Sequence, residues 1–308
     1  MSTLRSAAED YLRMRRALGY KLESQAPLLF AFVASLEQAQ AATVTIELAV
    51  AWATDPAGAD PVWWAKRLSV VRQFARYLQT IDPACEVPPA RLLPYRARRA
   101  SPYPYTQTQI AALMRAADAL PLPLQAATYQ TLIGLLAVSG LRVGEAIGLD
   151  RGDVDDRDGL VRVINGKFGK SREVPLHDSA LRALETYRQR RDQLFPQPAC
   201  EAFFVSTAGT RLHAANVRRV FTRLLRTVGL TACSSRCRPT LHSLRHRFAV
   251  NTLLDWHRAG VDVQARLPWL STYMGHTEPA HTFYYLTATP ELLGLVAQRL
   301  EPALEGIA

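Results

Sequence analysis

The sequence predicts a mainly α-helical protein with two domains and a small antiparallel β-sheet in the second domain. Three observations lead to this prediction. Apolar residues recur at helical spacing through most of the chain, whose 308 residues are long for one compact domain and comfortable for two. A segment rich in proline and arginine interrupts the helices at residues 89–104. Two short strand patterns, 160–164 and 172–176, enclose a loop with glycines at its turns and predict a hairpin.

Residues 1–88 form the first predicted domain, which is helical. Apolar spacing and turn residues place one helix before Gly19 and others at residues 27–36, 45–53 and 63–78. All charges on the last of these helices are positive, which favours a surface that faces phosphates, although such a helix is often only a solvated face. Four of its side chains are therefore candidate nucleic-acid contacts: Lys66, Arg67, Arg72 and Arg76.

Residues 89–104 are a predicted interdomain linker. Its prolines favour an extended form, and its arginines repel one another unless a polyanion lies alongside. We therefore expect the linker to contact a nucleic-acid backbone through Arg96, Arg98 and Arg99. The alternative is a plain exposed linker.

Residues 105–308 form the second predicted domain, which is α-rich. Thr106 is a suitable N-cap for a helix over 107–119. One strand is predicted at 203–206, and further helices are predicted at 124–138, 178–194, 214–228, 240–254, 267–274 and 290–300. Helix 214–228 is basic and adds Arg218 and Arg219 as candidate nucleic-acid contacts. In the hairpin loop, Lys167 and Lys170 lie where a flexible loop can bring an ammonium group into a site.

An arginine follows directly after the break in the buried helix 124–138. Gly140 ends that helix and leaves Arg142 near the N-terminus of the next one, where a cation opposes the helix dipole. An anion bound between free backbone N–H groups and the guanidinium resolves this conflict. Pairing of Arg142 with Glu145 is the alternative.

The helix 240–254 carries three polar side chains on one face: His242, Arg245 and His246. A titratable imidazole beside a fixed guanidinium suits an anionic oxygen whose neighbour must gain or lose a proton. One alternative is a solvated basic helix with one histidine in the core. A zinc pair is disfavoured, because the glutamate that metalloprotease helices carry beside their first histidine is absent.

The composition favours a polyanionic partner, either nucleic acid or a membrane surface. The formal net charge is +10, and 48% of the residues are hydrophobic, which suffices for ordinary cores. The longest apolar stretch, Ala26–Leu36, is too short to span a bilayer, and no signal peptide is visible, so we expect a cytoplasmic protein. The four cysteines do not make a disulfide framework, and residues 150–159 lack the spacing of a calcium loop. With no P-loop and no metal spacing, no cofactor and no metal are expected.

Several of these motifs follow one another in the order and approximate spacing of a known family. They are Ser139-Gly140-Leu141-Arg142-Val143-Gly144-Glu145, Gly166-Lys167, Arg172-Glu173-Val174-Pro175-Leu176, Leu241-His242-Ser243-Leu244-Arg245-His246, Met274-Gly275-His276 and Thr282-Phe283-Tyr284-Tyr285. Each motif alone is weak. Together they make the chain from Thr106 to its end resemble the tyrosine recombinase (phage integrase) family, with a weaker likeness in the N-terminal part.

This resemblance implies an enzyme that cuts and rejoins DNA at specific sites through a 3′-phosphotyrosine intermediate. It implies a helical core-binding (SAM-like) DNA-binding domain followed by a catalytic domain. The implied catalytic residues are Arg142, Lys167, His242, Arg245, His276 and Tyr285. Glu145 is the implied supporting carboxylate and His246 a structural or supporting residue. Tyr284 competes with Tyr285 for the nucleophile, and Lys170 with Lys167.

The resemblance also implies partners and a location. We expect double-stranded DNA recognition sites, a homotetramer on DNA or a heteromer with related recombinases, and association with the nucleoid. No membrane and no small-molecule cofactor are expected. The predicted helix 290–300 docks either on a neighbouring protomer or on its own domain. Two other functions are alternatives: strand relaxation of the type IB topoisomerase kind, and DNA binding by a catalytically inactive relative.

Overall fold

The computed structural model describes residues 3–94, 101–164, 166, 169, 171–197, 199–276, 282 and 294. The chain divides into two compact units, Met1–Arg99 and Ala100–Ala308, and each is described by itself. The division expected from the sequence, with a linker at residues 89–104, stays a prediction, because residues 95–100 lie outside the described part of the chain.

The described part of the first unit consists of four packed helices, α1 (Leu4–Ala17), α2 (Gln25–Gln38), α3 (Ile46–Thr54) and α4 (Pro61–Leu78). Side-chain oxygens of Thr3, Thr45 and Asp60 accept backbone N–H groups at the starts of α1, α3 and α4, at 3.2, 3.2 and 2.8 Å. Such a cap typically contributes about 1 kcal/mol. Phe32 and Phe74 are fully buried in the core of this unit. The helices expected in this unit are confirmed.

The described part of the second unit contains seven α-helices around one main core. They are α5 (Gln107–Asp118), α6 (Pro123–Ser139), α7 (Val143–Gly148), α8 (Asp178–Leu194), α9 (Ala214–Thr227), α10 (Leu241–Arg258) and α11 (Val263–Met274). Thr106 caps α5 together with Gln109, as expected. Helix α6 is buried because it packs against α5, α8 and α10. The predicted helix 290–300 lies outside the described residues, apart from Gly294.

A three-stranded antiparallel sheet accompanies these helices, in the order β1 (Val154–Asp155), β2 (Leu160–Val163) and β3 (Arg172–Pro175). Val161 pairs with Val174, and both side chains are fully buried. Arg162 pairs with Glu173 on the opposite face. A mainly α-helical fold with a small antiparallel sheet is therefore confirmed.

One predicted strand is wrong. Residues 203–206 are not a strand, since only isolated bridges, Asp150 with Ala202 and Val205 with Arg211, occur there. Phe203 and Phe204 are instead fully buried in a loop, where they pack against each other and against Tyr187. This apolar run is thus a loop that fills the core. The spacing of apolar residues alone does not distinguish such a loop from a buried strand.

The N-terminal half of α10 is anchored to the segment that begins the second unit. Thr240 caps the helix by accepting the Ser243 N–H at 3.2 Å, and Ser243 Oγ in turn accepts the Tyr103 N–H at 3.3 Å. Arg247 Nε donates to the Tyr105 carbonyl at 2.6 Å. These contacts hold the turn of α10 that carries His242 and Arg245.

Among the described residues, no helix combines the length and the apolar character needed to cross a membrane.

Candidate active site

Two helix ends and one helix bring the predicted site residues of the second unit together. Helix α6 ends at Gly140, and α7 begins just after Arg142, whose backbone is extended. Helix α11 ends at Gly275, one residue before His276. Between these two ends lies α10 with Arg245, which contacts the backbone of both. The site is therefore built where helices end, where backbone carbonyls are free to accept hydrogen bonds.

Gly140 is required by both its conformation and its surroundings. Its φ is +60°, a left-handed value that favours glycine, and a Cβ atom there would lie 2.5 Å from Cδ1 of Phe248. The Phe248 ring stacks on Tyr273, with ring centroids 5.5 Å apart. This close approach lets the Gly140 carbonyl accept Arg245 Nη1 at 2.6 Å. The glycine that appears in the sequence as a helix stop therefore also positions an arginine.

Arg245 is almost completely buried, with 2% of its surface exposed. Besides Gly140, its guanidinium contacts the Met274 carbonyl through Nη2 at 2.6 Å and the His276 ring through the same nitrogen at 2.9 Å. These three partners are neutral and orient the guanidinium. A fixed and desolvated positive charge suits an anionic ligand.

His276 lies between Arg245 and Thr282. Since a guanidinium only donates, we assign His276 Nε2 as the acceptor and Nδ1–H as the donor to Thr282 Oγ1, 2.8 Å away. Thr282 is buried, with 1% of its surface exposed. The imidazole is thereby held in one tautomer and one orientation.

Arg142 pairs with Glu145. From the sequence alone, this ion pair is the alternative to an anion bound at Arg142. Its Nη1 lies 2.7 Å from Glu145 Oε1, its backbone N–H donates to Oε2 at 2.9 Å, and its Nη2 donates to the Gly275 carbonyl at 3.0 Å. The carboxylate near the first turn of α7 offsets the unfavourable position of the arginine. About a quarter of the Arg142 side chain is exposed, so it remains accessible.

A third charged residue, Arg172, completes this cluster, and the sequence reasoning missed it. It begins β3, and its Nη1 and Nη2 donate to the two oxygens of Glu145 at 3.2 and 2.9 Å. Burial raises the pKa of the Glu145 carboxyl, but the hydrogen bonds and charges of Arg172 and Arg142 outweigh burial and lower that pKa to about 2. The only sequence signal was its place in the motif after the hairpin loop.

The two histidines of α10 differ in their surroundings. The His242 side chain is exposed at the surface beside the cluster. Desolvation by the neighbouring protein atoms lowers its pKa, and the positive charges of Arg245 and Arg142 lower it further. His246 is buried, with 5% of its surface exposed, and burial together with His242 lowers its pKa to about 4. Both imidazoles are therefore neutral at pH 7. His242 faces the site, and His246 lies behind it in the core.

The candidate nucleic-acid contacts of α4 separate into two pairs. Lys66 and Arg76 are exposed. The guanidinium of Arg67 instead lies 3.8 Å from the ring centroid of Trp52 and donates to that residue's carbonyl at 2.5 Å. Arg72 donates to the carbonyls of Pro88 and Pro89, both at 2.8 Å. The second pair therefore stabilises the first unit.

On α9, the predicted basic face is present. Arg218 and Arg219 are exposed, while Val217 and Phe221 are buried on the opposite side of the helix. Arg219 donates to Asn216 at 3.2 Å. The remaining candidates lie outside the described residues: Lys167, Lys170, Tyr284, Tyr285, Arg96, Arg98 and Arg99.

The cluster is therefore cationic. Arg142 and Arg245 supply fixed positive charge, and His242 and His276 supply neutral imidazoles. In the part of the chain that the structure describes, no three His, Cys, Asp or Glu side chains lie close enough together to hold a metal ion. Such a cluster can bind an anionic oxygen, stabilise added charge on it and accept a proton.

Known proteins resemble this chain in sequence and in fold. The phage integrase family model matches residues 105–291. A putative integrase/recombinase of Sinorhizobium fredii, y4rB, is 44% identical over 307 residues, covering 98% of each chain. The tyrosine recombinase XerC of Chlamydia muridarum is 28% identical over 240 residues, covering 77% of this chain and 70% of its own.

Two solved structures show the same fold. The XerH site-specific recombinase bound to its palindromic difH substrate, a post-cleavage complex, aligns with a TM-score of 0.65 at 17% identity, covering 97% of this chain and 85% of its own. The Tn1549 transposon integrase in complex with transposon right-end DNA aligns with a TM-score of 0.63 at 18% identity, covering 96% and 99%. The chain thus belongs to the phage integrase family and is a tyrosine-type site-specific DNA recombinase.

Proposed function

We propose that Arg142 and Arg245 bind the phosphate at which this recombinase cuts DNA, and that Tyr285 is the nucleophile. The observation that carries this proposal is the convergence of Arg142, Arg245 and His276, which come from three separate segments and are joined by hydrogen bonds at the ends of α6 and α11. No local sequence rule requires these side chains to meet.

The proposed chemistry exchanges one phosphate ester for another. The Tyr285 oxygen attacks the phosphorus, its bond to phosphorus forms as the bond to the 5′-oxygen breaks, and a 3′-phosphotyrosine and a free 5′-hydroxyl result. The non-bridging oxygens carry extra negative charge in the transition state, which the two arginines stabilise; loss of one such donor typically costs about 10²–10³ in rate. A second strand's 5′-hydroxyl reverses the reaction and rejoins the DNA.

Two protons move during this exchange. The tyrosine hydroxyl loses one, and neutral His242 is the proposed acceptor, because its lowered pKa leaves it unprotonated at pH 7. The leaving 5′-oxygen gains the other, and Lys167 is the proposed donor. His276 is proposed to donate to a phosphate oxygen once the DNA is bound, and for this its Nε2 must gain a proton and separate from Nη2 of Arg245. Glu145 supports Arg142, and His246 supports the core behind His242.

The proposed partner is duplex DNA with two recognition sites. Lys66 and Arg76 on α4 and Arg218 and Arg219 on α9 are exposed and suit phosphate contacts. The arginines of the 89–104 segment and Lys170 are proposed as further contacts. We also propose a tetramer on DNA, of four copies or with a related recombinase. The tetramer is then proposed to act in the cytoplasm, at the nucleoid.

The similar proteins also support a proposal for the biological process in which the reaction is used. One solved neighbour is a transposon integrase in complex with transposon-end DNA, and a 44% identical relative is described as an integrase/recombinase. Integration or transposition of a mobile element therefore fits better than other uses. Strand relaxation of the topoisomerase kind and an inactive DNA-binding role are not favoured by these relatives.

Covalent trapping tests the proposal. Protein–DNA adducts formed on the host's genomic DNA are mapped first, and a duplex carrying the mapped sequence is then nicked beside the cut so that the adduct cannot rejoin. Wild type and Tyr284→Phe are expected to form the adduct, and Tyr285→Phe none. An adduct that survives Tyr285→Phe and disappears in Tyr284→Phe overturns the nucleophile assignment, and no adduct with wild type overturns the reaction.

A further inference from the structure

We propose that Arg172 is a positioning residue whose charge keeps Arg142 available to the scissile phosphate. Arg172 itself does not touch the DNA in this proposal. It acts through Glu145, the carboxylate that it shares with Arg142. The inference rests on the proposed role of Arg142 in binding phosphate.

Each nitrogen of the Arg172 guanidinium donates a hydrogen bond within the protein. Nη1 and Nη2 form a fork on the two oxygens of Glu145, and Nε donates to the Tyr273 carbonyl at 2.8 Å. Only 12% of the side chain is exposed. Every nitrogen of this guanidinium thus has a partner within the protein, so Arg172 is not arranged to bind a phosphate directly.

Glu145 is shared evenly between the two arginines. Its Oε1 accepts Nη1 of Arg142 and Nη1 of Arg172, and its Oε2 accepts the Arg142 backbone N–H and Nη2 of Arg172. These four bonds match the four lone-pair sites of a carboxylate. The exposed fractions of the side chains are 25% for Arg142, 12% for Arg172 and 5% for Glu145. The accessible member of the cluster is therefore Arg142.

The charges of the cluster show what Arg172 contributes. With two guanidinium groups and one carboxylate, the cluster carries a net charge of +1. Without Arg172, Arg142 and Glu145 form an isolated pair of zero net charge, and the carboxylate opposes an incoming phosphate. Because the pair lies in a partly buried site, solvent screens this opposition only weakly. Arg172 thus neutralises Glu145 so that Arg142 acts as a cation.

Arg172 also contacts the end of α11. A Cβ atom on Gly275 would lie 2.7 Å from Arg172 Nη1, so the guanidinium packs directly on the backbone that leads into His276. The same backbone accepts Nη2 of Arg142 at the Gly275 carbonyl. A purely structural role for Arg172 is therefore the competing explanation, and the experiment must separate it from a role of charge.

A charge-restoration series makes this separation. Single-turnover adduct formation is measured on the nicked duplex for wild type, Arg172→Gln, Arg172→Lys, Glu145→Gln and the double variant Arg172→Gln/Glu145→Gln. Arg162→Gln is the matched control, because Arg162 lies on the neighbouring strand β2, pairs with Asp155 and Glu173, and loses the same charge outside the cluster. Thermal unfolding of each variant reports its folding.

Arg172→Gln is expected to slow cleavage at saturating DNA by about 10–100-fold, less than the loss of a direct phosphate donor. The double variant returns the cluster to +1 and is expected to cleave at least about fivefold faster than Arg172→Gln, and Arg172→Lys likewise. Arg162→Gln is expected to match wild type. If the double variant and Arg172→Lys are as slow as Arg172→Gln, or if Arg172→Gln cleaves like wild type, the proposal is wrong.

Failure of the proposed function gives a different result, since wild type and Arg162→Gln then form no adduct. If Arg172→Gln alone does not fold, Arg172→Lys and the double variant still decide the question by comparison with each other and with Glu145→Gln. Full activity in a folded Glu145→Gln, together with inactive but folded Arg172→Lys and double variants, assigns Arg172 a structural role only.

Discussion

Nη2 of Arg245 lies 2.9 Å from Nε2 of His276, and the opposite nitrogen of that imidazole lies 2.8 Å from Oγ1 of Thr282. A buried guanidinium thus fixes the tautomer of the histidine beside it, and a buried threonine fixes the ring's orientation. Thr282 lies in the same motif as the proposed nucleophile, three residues before Tyr285. The position of Thr282 and the orientation of His276 are therefore linked.

Thr282→Val tests this link, since it removes the hydroxyl that accepts the His276 Nδ1–H while keeping the side-chain shape. Loss of one such hydrogen bond, worth about 1 kcal/mol, is expected to slow adduct formation about fivefold without weakening DNA binding. The measurements are single-turnover cleavage and a gel-shift titration. Thr252→Val is the control, because Thr252 donates to the Phe248 carbonyl within α10 and does not contact His276. Equal rates for the two variants contradict this prediction.

Gly140→Ala is expected to destabilise the second unit more than an ordinary left-handed glycine substitution does. Its Cβ would clash with Phe248, and its backbone is left-handed, so the combined cost is roughly 3 kcal/mol or more. Gly229→Ala is the matched control: its φ is +68°, but no atom lies within 4 Å of the added Cβ. Urea unfolding measures both variants. A smaller loss for Gly140→Ala than for Gly229→Ala contradicts the close packing.

His246 is expected to make folding stability depend on pH between about 6.5 and 4. Its pKa is about 4 in the folded protein and has its ordinary value when unfolded, so in this window the unfolded chain binds more protons. Stability contributed by the neutral ring is therefore present above pH 6.5 and lost as the pH falls, by about 3 kcal/mol at most. His246→Gln is expected to flatten this slope in urea unfolding, and the exposed His213→Gln to leave it unchanged. Parallel slopes for His246→Gln and wild type contradict the prediction.

Basic residues of α4 are expected to divide by function. Lys66→Ala and Arg76→Ala each remove an exposed charge and are expected to weaken DNA binding. Each is also expected to reduce the slope of log affinity against log salt concentration by about one. Arg72→Ala removes donors to Pro88 and Pro89 and is expected chiefly to lower the melting temperature. Binding titrations at several salt concentrations, together with thermal unfolding, measure both effects. An unchanged salt slope in Lys66→Ala and Arg76→Ala contradicts a phosphate-facing α4.

Much of the fold follows from local sequence rules. The helices of both units follow from apolar spacing and from caps such as Thr45 and Thr106, because these signals act within one or two helical turns. Residues 203–206 do not follow, because an apolar run fills a core equally well as a strand or as a loop. Local rules thus predict helices better than they predict whether a buried apolar segment forms a strand or a loop.

The site shows the same limit at the level of single side chains. Arg142 and Arg245 follow from their motifs, but the guanidinium of Arg172 joins Glu145 and Tyr273, which lie 27 and 101 positions away in the chain. Arg67 and Arg72 resemble phosphate contacts in sequence, yet backbone carbonyls occupy their guanidinium groups. Whether an arginine faces a carbonyl, a carboxylate or solvent depends on tertiary distance, which spacing along the chain does not contain.

The hydrogen bonds of Arg245 also bear on when a newly made chain becomes able to cut DNA. One carbonyl partner, Gly140, precedes Arg245 by 105 residues, and the other, Met274, follows it by 29. During synthesis both carbonyl partners are present only after α11 has emerged from the ribosome and its end has packed beside Arg245. A nascent or partly folded chain is therefore expected to lack the contacts that orient Arg245, and with them the proposed phosphate site.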